Sequence, residues 1–245
     1  DARVIPEVSY TEAIELAYFG AKVIHPKTMS PAITAGIPIY IRNSFQPTHR
    51  GTRIYHPTAR DSSAKEKCVC GFSTIDNIAL MNIEGTGMVG VPGIAHRLFG
   101  ALKAADISVI FIAQASSEHS ICFATQETNK QSAYAAVEEA FFYELKQKYI
   151  TKITVIDNCS IIAAVGESMT QMPGVAGIFF GALGNARISV LAISQGCDER
   201  NISAVVNQRD SARALQAVHS AFWFSSQKMS IGVIGTGRVG SAVIQ

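Results

Sequence analysis

At 245 residues, 48% of them hydrophobic and 16% charged, the chain has enough apolar surface for a folded, soluble protein of two or three small domains. A net charge of +2, with Lys and Arg scattered, leaves neither a basic stripe for nucleic acid nor a polybasic patch for a membrane, and no apolar run approaches the ~18 residues of a spanning helix. The five cysteines, Cys68, Cys70, Cys122, Cys159 and Cys197, are odd in number and form no Cys-x-x-Cys pair, so reduced, packed thiols are expected and no metal site is.

In chain order, Ser9-Tyr10-Thr11-Glu12 is a capping box that opens a helix running to Gly20, with Ala13, Leu16 and Ala17 on one face. A short apolar link carrying Lys22 follows. His25-Pro26 opens a second helix, with His25 a cap or packing residue rather than a base, and Gly36 stops it after Ala35. Ile37, Ile39 and Ile41 alternate as a strand. Helix, link, helix and strand fit the end of an α/β domain. Residues 43 to 66 hold Pro47, Gly51, Pro57, Ser62 and Ser63 among charges and read as a loop or linker.

The next stretch occurs twice. Pro92-Gly93, Phe99-Gly100-Ala101-Leu102, Ile107-Ser108-Val109, Gln114 and Glu118 return, on adding 81 to each number, as Pro173-Gly174, Phe180-Gly181-Ala182-Leu183, Ile188-Ser189-Val190, Gln195 and Glu199. Gly85 and Met88 return as Gly166 and Met169. One supersecondary unit is therefore used twice. In the first copy, residues 79 to 83 read as a strand and the glycines after it as a tight loop. Pro92 suits the first turn of a helix bearing Ile94, Leu98, Ala101 and Leu102 on one stripe. Ile107 to Ala113 and Ser120 to Thr125 read as a hairpin, 130 to 147 as a helix and 153 to 156 as a closing strand. This is a βαββαβ sandwich with helices on one side of a small sheet. A Gly-rich loop beside a helix start can hold a carboxylate. Gln114 and Gln195, just after buried strands, offer amide donors and acceptors. A lone Gln at a strand end also caps a hairpin, but two in a repeated frame favour ligand contact. Glu118 and His119 read as hairpin polarity, and His96 and His219 as surface or half-buried helix residues. Finally, Met229 to Ile234 reads as a strand leading into Gly235-x-Gly237-x-x-Gly240 and a helix from Ser241, the context of a dinucleotide-binding turn.

The repeated Pro-Gly, helix and Ile-Ser-Val pattern resembles the ACT domain, a family of modules that bind free amino acids. Tyr18-Phe19-Gly20-Ala21-Lys22-Val23-Ile24-His25-Pro26 is similar to the C-terminal part of the aspartate kinase catalytic domain, in the amino-acid kinase family. The order of kinase end, two ACT units and Rossmann start resembles the bifunctional aspartokinase/homoserine dehydrogenases, most of all those of plant type.

The resemblance implies an α+β fold: 1–56 as the end of the kinase domain, 57–68 as linker, 69–150 and 151–227 as ACT domains, and 228–245 as the start of an NAD(P)-binding Rossmann domain. Both chain ends are then internal to a longer protein. It further implies that Arg3 and Lys22 contact nucleotide, with Ala2 standing where the family has Pro. Gln114 and Gln195, with Met88, Ser108, Val109, Ile110, Ser189 and Val190, would contact an effector, and Gly235, Gly237 and Gly240 a dinucleotide. The parent would use ATP and Mg²⁺ to phosphorylate aspartate, and NADP or NAD to make homoserine, in cytoplasm or plastid stroma. The effector would be threonine, with lysine the alternative, and ACT pairing would give a homo-oligomer without nucleic acid or membrane partners. A monofunctional lysine-sensitive aspartate kinase and a stand-alone amino-acid sensor are the rival readings.

Overall fold

Ser9 makes the capping box that the sequence spells: its Oγ accepts the Glu12 N–H and its own N–H donates to the Glu12 carboxylate, both at 3.0 Å. Strand β1 (Glu7–Ser9) therefore turns directly into helix α1 (Tyr10–Tyr18). The computed structural model describes residues 4–21, 23–57, 68–114, 119–167, 169, 172–196 and 200–223. Helix α2 (Pro26–Ala35) starts where His25 Nδ1 accepts the Lys27 N–H at 3.2 Å, and ends at Gly36 with φ 65°. Strand β2 (Ile39–Ile41) pairs antiparallel with β3 (Thr52–Tyr55), and β3 pairs parallel with β1. The stretch expected to be linker thus contains a strand. The four residues Thr52–Tyr55 carry too little periodicity to announce it, and pairing with Glu7–Ser9 on one side and Ile39–Ile41 on the other creates it.

The repeat begins with the 14-residue strand β4 (Gly71–Glu84). After a one-turn 3₁₀ segment (Thr86–Met88) come α3 (Ile94–Ala104), β5 (Phe111–Gln114), β6 (Ser120–Gln126), α4 (Lys130–Ala140) and α5 (Phe142–Lys146). The second copy is β7 (Lys152–Val165), α6 (Val175–Asn185), β8 (Val190–Gln195), β9 (Asn201–Asn207) and α7 (Ser211–Trp223). Three expectations shift. Pro92 lies before its helix, which opens at Gly93 in a left-handed conformation (φ 88°). The helix expected over 130–147 breaks at Phe141, whose side chain is fully buried against the first unit's core. The strand expected from Ile107 enters the ladder only at Ile110, whose N–H donates to the Ala124 carbonyl.

One six-stranded sheet runs β5-β6-β4-β7-β9-β8, every pair antiparallel. Its centre is the pairing of β4 with β7, from Gly71 opposite Val165 to Glu84 opposite Lys152. Because β4 and β7 are themselves repeat equivalents, this pairing has an internal two-fold near Asn77 and Asn158, which both take positive φ (58° and 52°), the region Asn tolerates best after Gly. The consequence is an exchange of strands. Residues 152–156 close the sheet of the first unit, and their counterparts 71–75, ahead of the first unit in sequence, close the sheet of the second. A cut between residues 150 and 151 places 71–75 with the first unit's helices, whereas hydrogen bonding places it beside the second unit's β7.

The helices cover opposite outer faces. Met81, Ile83 and Phe123 pack under α3 and α4, and Ile162, Ala164 and Ala204 under α6 and α7. The remaining faces of both halves, including Ile78, Leu80, Phe111 and Ala124 from one and Cys159, Ile161, Ala163 and Val205 from the other, merge into a single buried cluster. The sheet therefore folds over on itself, and the edge strands β5 and β8 approach each other.

Candidate effector site

Gln114 and Gln195 occupy the same place twice: the last residue of an edge strand, opposite Ile121 and Ile202 respectively, with the side chain exposed. On the approach to each strand, Ser108 and Ser189 are exposed and Val109, Ile110 and Val190 half-buried. Within the strands the faces alternate: Phe111, Ala113 and Ala192 turn toward the inner cluster while Ile112, Gln114, Leu191 and Ile193 are exposed. Ahead of them Ile110 also packs on the inner cluster, and Val109 and Val190 pack on the helix-covered cores of their own units. The outer edges of β5 and β8 have no strand partner among the described residues.

Helices α3 and α6 start at Gly93 and Gly174 (φ 88° and 91°) with no side-chain cap, and the first backward bonds are from Arg97 N–H and Ile178 N–H to those glycine carbonyls. The turn ahead of each presents uncapped donors at the positive end of a helix dipole. The loop before α3 is less open than its glycines suggested. Gly85 N–H donates to the His119 carbonyl, Gly87 N–H to that of Tyr149, and Met88 and Val91 N–H to loop carbonyls. Met88, expected at the effector, is a buried residue. It is 3% exposed and sits in the core beneath α3, because the turn at Thr86–Met88 folds its side chain inward; Met169 is buried in the same way at 2%.

Other sequence candidates separate clearly. His96 and His119 are exposed, and His219 stacks on Trp223 with ring centroids 5.9 Å apart. Burial pushes the Cys122 and Cys159 thiols up to about 11, so both are neutral packed thiols at neutral pH. Among the described residues no cluster of His, Cys, Asp and Glu could hold a metal ion, and no helix is long and apolar enough to cross a membrane. Arg3, Lys22, Glu118, Glu199, Gly235, Gly237 and Gly240 lie outside the described residues.

Sequence reading missed the role of the end of α1. Tyr18 Oη donates to the Ile110 carbonyl at 2.9 Å, and Phe19, 5% exposed, inserts into the cluster between the two sheet halves. A cavity of about 230 Å³ lies between this helix end and strands β5 and β8, bounded by Tyr18, Ile110, Ser194 and Ser203. A larger cleft of about 1190 Å³ separates the N-terminal segment from α7 of the second unit. The signal available in the sequence was an aromatic pair ahead of Gly20, which period analysis assigns to no particular partner.

A duplicated βαββαβ unit with matched polar edges, joined to the tail of an α/β domain, defines a tandem ACT regulatory module attached to a kinase domain. The ACT domain model matches residues 81–141 and 162–222, and the amino acid kinase family model matches residues 1–43. The chloroplastic bifunctional aspartokinase/homoserine dehydrogenase 2 of Zea mays is 46% identical over 244 residues, covering 100% of this chain and 27% of the relative. Among solved structures, Clostridium acetobutylicum aspartate kinase superposes with a TM-score of 0.78 at 25% identity, over 90% of this chain and 49% of that one. E. coli aspartokinase III, solved in complex with lysine and aspartate, gives a TM-score of 0.68 at 26% identity, over 89% and 46%. The chain therefore carries two ACT domains behind the end of an amino-acid kinase domain; it is similar along its whole length to bifunctional aspartokinase/homoserine dehydrogenases, and it spans about a quarter of the length of the curated relatives it matches.

Proposed function

We propose that this chain is the amino-acid sensing region of an aspartokinase/homoserine dehydrogenase and that threonine is its effector. The observation that carries the reading is the duplication of one exposed amide, Gln114 and Gln195, at equivalent edge positions in two units whose α3 and α6 begin uncapped. A free amino acid matches these groups: its carboxylate suits a helix start, and its ammonium and hydroxyl suit an amide and strand backbone at Ser108–Ile110 or Ser189–Val190. The exposed edge residues Ile112, Leu191 and Ile193 (46%, 39% and 49%) favour completion of the site by a second copy of the chain.

In the whole protein, the kinase would transfer a phosphoryl group from ATP, held with Mg²⁺, to the side-chain carboxylate of aspartate. Arg3 and Lys22 would face its phosphates by the motif they match, and cations there offset charge developing on the transferred group. The dehydrogenase would take NADP or NAD at the turn Gly235, Gly237 and Gly240. Inhibition requires the effector to bind the inactive arrangement better than the active one, a coupling of ~1–3 kcal/mol in typical cases.

A second reading, lysine as effector, is favoured by the E. coli aspartokinase III structure that holds lysine. Calorimetric titration with each amino acid, on the wild type and on Gln114→Ala and Gln195→Ala, separates them. The expected result is threonine binding that each substitution weakens by roughly tenfold, as for a lost ligand hydrogen bond. Lysine binding alone would replace the effector, and binding unaffected by both substitutions would remove the site.

A further inference from the structure

Helix α1 is fastened to the two units differently. Toward the second, Ser73 Oγ donates to the Phe19 carbonyl at 2.8 Å, Asn201 Nδ2 donates to the Glu15 carboxylate at 2.9 Å, and Glu167 N–H donates to the Glu12 carboxylate at 3.3 Å. Ser73 belongs to the half of β4 that closes the second unit's sheet, and Asn201 to β9. Gly20 lies so close to this strand, at φ 107°, that a Cβ there would sit 2.4 Å from the Thr74 carbonyl oxygen. Toward the first unit, the polar tie is the Tyr18 hydroxyl on the Ile110 carbonyl. The Tyr18 ring stands edge-on against Phe19, with centroids 5.2 Å apart and planes at 88°, so its direction is set by a buried neighbour. Burial, with the Glu15 charge, raises the phenol pKa, which keeps the hydroxyl a donor at neutral pH.

We propose that Tyr18 is a positioning residue that couples the first unit's edge strand to the kinase segment. It reports movement of the backbone at Ile110 to the end of α1, against a second unit that acts as the fixed frame. The proposal rests on the reading of β5 as an effector strand. An amino acid drawing on the backbone of Ser108–Ile110 displaces the carbonyl that Tyr18 holds. Because the body of the helix is held by Asn201 on Glu15 and Glu167 N–H on Glu12, and Gly20 lies against the Thr74 carbonyl, the displacement is taken up as a rotation of the helix end rather than a shift of the whole helix. The stretch immediately beyond, 21–24, includes Lys22, which by the motif it matches would face nucleotide phosphate, so a rotation of the helix end would alter nucleotide contact. The relay needs no new contact, only a two-state element both sites bias.

The test uses amide hydrogen exchange in the full-length protein, with and without threonine, on the wild type, Tyr18→Phe and Ser73→Ala. Wild type should show threonine-dependent protection at 108–114 and an altered exchange rate at 19–24. Tyr18→Phe keeps the ring and the fold. It should retain threonine binding within about threefold and the change at 108–114, lose the change at 19–24, and shift the threonine concentration for half-inhibition of the kinase by up to about tenfold, the limit set by one hydrogen bond. Ser73→Ala, which releases the opposite tie, should leave the response at 19–24 in place. A response at 19–24 that survives Tyr18→Phe, or that Ser73→Ala abolishes equally, overturns the proposal. If threonine binds the wild type but leaves 108–114 unchanged, the effector strand itself is misassigned and the relay falls with it.

Discussion

The two ACT units share a backbone and differ in what their surfaces do with it. At the central bend, Asp76 accepts bonds from Ser160 Oγ (2.6 Å) and Ser211 Oγ (2.9 Å), whereas its counterpart Asp157 meets the Lys130 ammonium at 2.8 Å. Ser211 and Lys130 are themselves repeat equivalents, so the same joint is fastened by neutral hydroxyls in one copy and by an ion pair in the other. On the first helix, Arg97 of α3 forks onto the Glu144 carboxylate, donates to the Ala140 carbonyl and lies 4.7 Å from the centre of the Phe141 ring. Its equivalent in α6 is Ile178, 43% exposed. What the copies keep is the backbone and the apolar interior; what they vary is how charge secures the outer surface. Selection for a shared sheet tolerates such divergence because packing, not surface pairing, supplies most of the stability.

The strongest way to break this comparison is through the interior. Leu98 and Phe179 are equivalent and fully buried under their respective sheets. Leu98→Ala should cost about 2–5 kcal/mol and Phe179→Ala about 3–5 kcal/mol. Since β4 and β7 each serve both halves, either change should lower one cooperative transition in chemical denaturation; two separate transitions would show that the halves fold independently.

Next in size are Gly85 and Gly166. A Cβ on Gly85 would lie 2.2 Å from the Tyr149 carbonyl oxygen, and one on Gly166 2.2 Å from that of Cys68. Tyr149 and Cys68 are again repeat equivalents, each on the segment entering the exchanged strand. Gly85→Ala and Gly166→Ala should therefore destabilise by similar amounts, on the order of 1–3 kcal/mol, and a large inequality would mean that one crossover is looser than the other.

The smallest effect sharpens the difference between the helices. Arg97→Ala should cost ~1 kcal/mol because the pair is partly exposed, and Ile178→Ala less than about 0.5 kcal/mol. The hydrogen bond from Arg97 holds the Glu144 carboxyl below its ordinary value of 4.5. A depressed carboxyl pKa stabilises the fold above the unfolded value, and that contribution disappears as pH falls through the folded one. The penalty of Arg97→Ala should accordingly be full at neutral pH and shrink below about pH 4.5, read as the difference between melting midpoints of the two proteins.

Local rules placed much of this structure in advance. Ser9-x-x-Glu12 gave the α1 start, Gly36 the α2 stop, and the constant offset of 81 the duplication. The strand-end positions of Gln114 and Gln195 followed from counting beyond an apolar run; that those strands are the edges of the sheet came from the pairing alone. Met88 escaped, because a Met after a Gly-rich turn reads equally as a loop contact or a core plug, and only the direction of the turn decides. Tyr18 escaped for another reason: its partner is the backbone of Ile110, and a carbonyl leaves no trace in residue type.

What the amino-acid order determined alone was periodic and local: which residues alternate, where helices are capped, and that one unit is written twice. Which strand lies beside which was left to the tertiary structure. Residues 71–75 and 152–156 satisfy the same pattern of faces wherever they pair, since a period of two specifies a side of the sheet and not a neighbour. Only the closing of both cores at once, with Val69 buried in the second unit's core and Ile150 in the first's, fixed the exchange of strands and brought the end of α1 between the two halves.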